Sequence, residues 1–404
     1  MNNALILNSC DENVGDVTGS SGTLNIQDNA TNTTANFHVG KSGTATGVLN
    51  QSGGYLGRLN PAPLIAYADW RVGGNTTADA TAVGTINLSG GVVEPFSNFQ
   101  VGAYGIGYWN QTGGIANCAN YPSMGRYPGS TSTLNVSGGG FNQNGSGQLL
   151  IIAEQGTAAL TVTNSGLVNC VGGLSIGHTA TGIGVVNLDG GTISTRIVRS
   201  PGATLGGSGT LNLNGVLLQA NANNATFMSG LKAAYVLAGG AIIDSSSNAI
   251  TVGQVLLDGG TGGGLTKLGS GTVTVTKLGA TALASGDTFK LFSQPLRGGN
   301  ALTILGHPGA GLGWTNHLAL DGTIGVVTTV AMNPTNISYS LSGNTLTISW
   351  PTDHTGWTLQ SQTNSLSTGL GNNWVDVAGS ATGNTSLFTV DPNAPTVFFR
   401  LRSP

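Results

Sequence analysis

Charge is what this chain has least of. Asp, Glu, Lys and Arg make up 7% of its 404 residues, against about 25% in an ordinary soluble domain. The 13 basic and 16 acidic residues nearly cancel, leaving a net charge of −3. No basic cluster occurs, so nucleic-acid binding by phosphate neutralisation is not expected. No run of 18 apolar residues occurs, so no membrane-spanning segment is expected either. Met1 to Ser9 has no basic stretch and too short an apolar core for a secretory signal. If the protein is exported, its signal lies upstream of this numbering or has been removed. Cysteine is also scarce. Cys10, Cys118 and Cys170 include no CxxC pair, which argues against zinc. Coil counting puts them on well-separated turns, whereas a disulfide needs Cα atoms within about 7 Å. All three read as small buried hydrophobes.

What the chain has in quantity is glycine, 67 residues. Glycine-rich disordered chains combine high charge with few apolar residues. Here hydrophobic residues are 39%, and Val, Ile and Leu sit beside Thr and Asn. That composition favours strands joined by tight turns.

One phrase recurs: small-x-hydrophobic-Asn-hydrophobic-polar-Gly-Gly. Its anchors are Asn25, Asn50, Asn87, Asn110, Asn135, Thr161, Asn187 and Asn212, with spacings of 25, 37, 23, 25, 26, 26 and 25. A second phrase, hydrophobic-Gly, lies between them at Val14-Gly15, Val39-Gly40, Val72-Gly73, Val101-Gly102, Met124-Gly125 and Ile176-Gly177, with Ile152-Ala153 in the same slot. Each period therefore carries two short strands in fixed phase. One such coil cannot bury its own apolar face, but stacked coils pair each strand with its copy about 4.8 Å away. In the anchor strand Leu24 and Ile26 share the inner face and Asn25 takes the other, where Asn can stack on Asn as an amide ladder. The Gly-Gly supplies the left-handed turn conformations of a corner. Parallel crossovers are nearly always right-handed. The fold class expected is all-β: a right-handed parallel β-helix of about 25-residue coils over residues 1–218.

The long gap from Asn50 to Asn87 holds about 12 extra residues. Pro61 and Pro63 exclude ladder pairing there, so Gly57 to Arg71 is expected as a loop bulging from the stack. Tyr67, Asp69, Trp70 and Arg71 are its candidate ligand contacts. After Asn212 the rhythm loosens, and residues 219–331 read as an irregular continuation or cap of the β-helix. Ala222 to Ala238 is the best helix candidate. From about Asn333 short strands follow one another, with Trp350, Trp357 and Trp374 among them. Residues 332–404 are expected as a small β-sandwich, immunoglobulin-like or fibronectin-like.

The segment GGGLTKLGSGTVTVT, Gly262 to Thr276, resembles the autotransporter-associated β-strand repeat. That signature runs Gly-Gly-Leu-Thr-Lys-x-Gly-x-Gly-Thr-hydrophobic-Thr-hydrophobic. It is matched here by Gly263, Gly264, Leu265, Thr266, Lys267, Gly269, Gly271, Thr272, Val273, Thr274 and Val275. The resemblance implies an exported bacterial surface β-helix. No run of amphipathic strands for a membrane barrel precedes Pro404, so only the passenger architecture carries over.

Chemistry is sparse. β-Helices that cleave polysaccharides need clustered carboxylates, or carboxylate-bound calcium beside a base. Here Asp69 and Arg71 sit together, while Glu94, Glu154 and Asp189 lie in different coils. Asp11, Glu12 and Asp16 lack the spacing of a calcium loop. His38, His178, His307, His317 and His354 are scattered. Tyr67, Trp70 and Tyr121 are candidates to stack on sugar rings. Asn-x-Ser/Thr sequons at Asn50, Asn87, Asn110 and Asn135 place any glycans in a regular row. No cofactor or metal is expected, and no enzymatic activity. The leading expectation is an extracellular structural protein, a homopolymer assembled head to tail. Val14-Gly15 already fills its slot, so the chain begins inside a coil without a polar cap. The alternative is a surface adhesin that binds glycans through the 57–71 loop. A polysaccharide lyase comes third.

Overall fold

The computed structural model describes residues 4–7, 10–57, 69–95, 98–260, 262–270, 273–275, 282–292, 295–304, 306, 308–309, 312–393 and 395–404, with backbone alone at 203, 205 and 273–275. The chain divides into two compact units, Met1–Leu278 and Gly279–Pro404.

The first unit is a parallel β-solenoid of about ten turns. Each turn carries three strands, where the repeat phrases had marked two. The first face holds the anchor strands, from Ser21–Ile26 through Thr131–Val136 to Leu256–Asp258. The second face holds the stretch after the Gly-Gly corner, from Leu5–Leu7 through Ile115–Cys118 to Leu265–Leu268. The third face holds the hydrophobic-Gly strands, from Asp11–Val14 to Val273–Val275. The second face carries no recurring phrase; its strands are set in register by the corners on either side of them.

Register is strict. Asn25, Asn50, Asn87, Asn110 and Asn135 lie directly above one another. The inner column beside them runs from Leu24 and Leu49 through Trp109 to Leu211 and Leu256. At mid-stack each face sends in one aromatic ring. Phe99 meets Trp109 at 5.3 Å, and Trp109 meets Phe141 edge-on at 5.7 Å. All three are fully buried. Gln51 and Gln111 replace apolar residues on the inner face and are equally buried. Their amides donate to corner carbonyls, Gln51 to Val92 at 3.0 Å and Gln111 to Gly140 at 3.0 Å. Buried amides without such partners are costly.

The stack continues past residue 218 as paired strands, with a register shift between Asn224 and Met228. The expected helix at 222–238 is instead two strands, Asn224–Ser229 and Ala233–Val236. Its helical propensity is weak, and Thr210–Leu213 presents an edge that Ala233–Val236 pairs with in register. The segment resembling the autotransporter-associated repeat forms one strand–corner–strand step, Leu265–Leu268 on the second face and Val273–Val275 on the third, with Gly269 at φ +78° between them.

The extra residues between Asn50 and Asn87 fall in two places. Asn50 to Val72 spans 22 residues against 14 for Asn25 to Val39, and Val72 to Asn87 spans 15 against 11 for Val39 to Asn50. The first surplus lies largely outside the described residues. The second forms the corner around the short 3-10 turn Thr77–Asp79. Asp69–Val72 is no part of a loop; it is a rung of the third face.

The second unit is antiparallel. Thr323–Thr328 pairs with Thr288–Lys290 and Leu312–His317 around Leu296, Leu318 and Ile324. Two further three-stranded sheets share a core of Ile348, Trp350 and Leu359, with Phe388, Phe399 and Leu401 packed against it. These small antiparallel sheets are consistent with a sandwich.

Corner glycines are the strictest positions. Gly40 has φ +66°, and a Cβ there would overlap the Val83 carbonyl of the next coil. Gly19 has φ +79°, but nothing lies within 4 Å of its would-be Cβ. Gly19→Ala is expected to cost about 1 kcal/mol from backbone strain alone, and Gly40→Ala clearly more than about 2 kcal/mol because the next rung must move. Denaturant melts of the two variants check the difference.

Candidate functional site

The densest charge in the solenoid lies along the third face. Its outward column runs Asn13, His38, Arg71, Gln100, Ser123, Ile151, Ser175 and Arg199, one residue per rung. These alternate with the inward Phe37, Trp70, Phe99 and their followers, as the two-residue period of a strand requires. Outward here does not mean wet. His38, Gln100, Ser123 and Ser175 are all buried. These strands are only two to four residues long, and the segment after the hydrophobic-Gly corner folds back over them. Arg71 donates to the Asn75 carbonyl at 2.8 Å, and His178 meets Ser175 at 2.8 Å.

A continuous polar run spans four rungs. Asp69 pairs with Arg71 at 2.6 Å. Arg71 lies 5.9 Å from the Tyr104 ring. Tyr104 stacks on Tyr127 with centroids 4.0 Å apart and planes within 12°. Arg126 sits over Tyr127 at 5.1 Å and Tyr121 at 5.3 Å, and its guanidinium pairs with Glu154. Glu154 also accepts from Ser123 Oγ at 2.6 Å and from the Tyr121 hydroxyl at 3.0 Å. Each cation–π contact contributes about 0.5–2 kcal/mol. On the same coil as Arg71, Asp79 is 5% exposed and accepts from the Gly43 amide of the coil before, from the Asn75 and Thr76 amides and from the Thr76 hydroxyl. Burial alone would raise its carboxyl; those donors hold it below the ordinary range.

Burial is the first cause of the shifts of His38, His178, Tyr121, Cys118 and Cys170. His38 is held down to about 4, first by burial and then by Lys41. Its Nδ1 lies 3.0 Å from Asn13 Oδ1. Burial and the Arg199 and Arg126 charges lower His178. Burial raises the Tyr121 phenol, against the pull of Arg126. Cys118 and Cys170 stand two rungs apart on the second face with Gln143 between them. Both are buried free thiols pushed upward by desolvation, whereas Cys10 is exposed rather than buried. His354, in the second unit, faces the Asn333 carbonyl at 2.7 Å and the Asp353 carboxylate at 2.8 Å, which raise it.

The loop candidates are redistributed. Tyr67 lies outside the described residues, as does His307. Trp70 is 1% exposed and packs on Phe37 at 5.2 Å, so it is core and cannot stack on a sugar. Asp69 joins a side-chain ladder in which Asn98 donates to it at 3.0 Å and Asn36 accepts from its amide at 2.8 Å. Glu94 accepts from Tyr55 and Asn117, both at 3.0 Å. Asp189 accepts from Asn214 at 2.9 Å. Glu12 accepts from Asn32, and Asp16 pairs with Lys41 at 3.4 Å. The sequon asparagines form the amide ladder itself, each donating to the previous rung: Asn50 to Asn25, Asn87 to Asn50, Asn110 to Asn87 and Asn135 to Asn110, at 2.9–3.0 Å. Glycans on successive members would be crowded at one-rung spacing.

Tyr104, Arg126 and Tyr127 went unremarked in the sequence. Their signal was positional, since all three follow the hydrophobic-Gly slot by one or two residues. Among the described residues no three His, Cys, Asp or Glu side chains converge as metal ligands, and no helix is long and apolar enough to cross a membrane. Fold and site define a parallel β-solenoid whose charged groups cross-link neighbouring rungs. No protein-family model, no curated protein and no solved structure matches the chain.

Two outcomes follow from this geometry. Glu154→Gln leaves Arg126 half-buried without its counter-charge and is expected to destabilise by about 3 kcal/mol in urea melts. His38 titrates near 6.5 unfolded and about 4 folded. Its contribution is therefore complete above pH 6.5 and is lost as pH falls through 4, by up to about 3 kcal/mol. His38→Gln should flatten that acid limb of the stability profile.

Proposed function

We propose that this protein is an extracellular structural protein, a passenger-type β-solenoid that assembles head to tail into a surface fibre. The carrying observation is the strand Leu5–Leu7. Among the described residues it pairs along one edge only, with Thr31–Thr33, and its residues are 66%, 36% and 58% exposed. An apolar strand with an open edge is a template for another chain. A repeated contact between two different surfaces that does not close grows a filament.

The use of the polar groups supports the same reading. The Asn ladder, the Asn98–Asp69 hydrogen bond, the Arg126–Glu154 pair and the Tyr104–Tyr127 stack all run along the solenoid axis. They are cross-links between rungs and make the rod stiff. Carboxylates engaged in this way are poorly placed for acid–base work. The adhesin alternative is weakened by the places of Asp69, Trp70 and Arg71, which belong to a rung and not to a loop.

Electron microscopy of the purified chain is expected to reveal filaments. Leu5→Lys with Leu7→Lys should yield separate particles with unchanged circular dichroism. Light scattering that finds only monomers at every concentration, with the Asp11–Val14 amides protected from hydrogen exchange, would rule the fibre out.

A further inference from the structure

The first face carries a second, lateral surface. On each rung the side chains opposite the core are the first, third and fifth of the strand, such as Ser21, Thr23 and Asn25, or Ile183, Val185 and Asn187. These three columns run in register through eight rungs, from Ser21–Ile26 to Ser208–Asn214. Not one of the positions is charged. Soluble surfaces are about 25–35% charged, and natural sheets use Lys to keep other sheets away. Here Tyr108 and Ile183 are 39% and 52% exposed, and Thr, Ser, Val and Ala fill most of the rest.

We propose that this face is a lateral interface between two copies of the chain, packed sheet against sheet about a two-fold axis. Size argues for it. Eight rungs at about 4.8 Å by six residues at about 3.3 Å give roughly 750 Å² per copy, close to the roughly 800 Å² per partner of a standard specific interface. Charge argues for it too. A two-fold contact sets a surface against itself, and only an uncharged surface does so without repulsion. The third face carries Arg71 and Arg199, with Arg126 in the corner after it, and the second carries Glu94 and Asp244; on the first face Asp189 lies beyond the three columns, at the end of its ladder and bonded to Asn214, so this face is the best suited. Desolvation is cheap, because the central amides already bond to one another along the axis. Two such sheets pack about 10 Å apart with their side chains interleaved. The contact is perpendicular to axial growth and does not depend on it.

The test is sedimentation of the full chain and of the Leu5→Lys/Leu7→Lys chain, so that a failure of axial assembly leaves lateral pairing measurable. The second chain is expected to be a dimer. Thr85→Lys with Thr133→Lys, two rungs apart at the centre of the face, should weaken dimerisation by at least about tenfold with unchanged circular dichroism; either substitution alone serves if the pair misfolds. Thr192→Lys with Thr266→Lys, on the second face, should leave the dimer intact. In fibres, the first-face lysines should thin the threads without shortening them. Dimers that survive those lysines, or a chain monomeric up to its solubility limit, overturn the proposal. So does a monomer that co-sediments with particulate cellulose through this face, which would assign the surface to a polymer instead.

Discussion

The parallel in-register ladder is the constraint on which the rest of this structure depends. Once each residue lies above its counterpart one rung away, every choice of side chain is repeated against itself. Apolar columns become a continuous core, and amide columns become hydrogen-bonded ladders. A charged column would be a row of like charges at about 4.8 Å, which no surface dielectric makes harmless. The scarcity of charge follows from that spacing. The charges that remain alternate with partners: Asp69 between Asn36 and Asn98, Glu154 against Arg126, Asp244 beside Gln219.

The corners carry the second constraint. Three short strands per turn require three reversals of direction every 25 or so residues, in a space bounded above and below by neighbouring rungs. At Gly40 and Gly73 both the left-handed backbone and the carbonyl of the next coil exclude a Cβ. Where a corner leaves carbonyls inside, glutamines such as Gln51 and Gln111 supply the donors. Polar residues inside the solenoid are thus corner supports, and the pattern of an otherwise apolar strand bends to accommodate them.

The functional reading rests on direction. In the proposed assembly, interactions along the axis hold the rungs together, the Leu5–Leu7 strand would seat the next copy, and the uncharged face would lie against a second one. Each of these is a property of a surface and not of a pocket. The charged corner of the third face, which attracts attention as a site, turns inward on itself, with Tyr104 and Tyr127 stacked on each other and a guanidinium close to each ring.

The amino-acid sequence by itself determined the solenoid, its coil length, the inner and outer sides of the anchor strand and the Asn ladder, because a period that holds phase over eight anchors can be built in few ways. It also marked the small C-terminal sheets through alternation such as Leu346, Ile348 and Trp350. The second face, the strands at 224–236, the burial of Trp70 and the Tyr104–Tyr127 stack were decided only in the tertiary structure. Their residues have no distinctive local pattern. Trp70 flanked by Asp69 and Arg71 reads as a surface cluster until the rung beneath fixes the register and turns the indole inward onto Phe37. The physical reason is common to all four: their partners lie a whole coil away in the chain, and what a residue touches there depends on the coil above and below it.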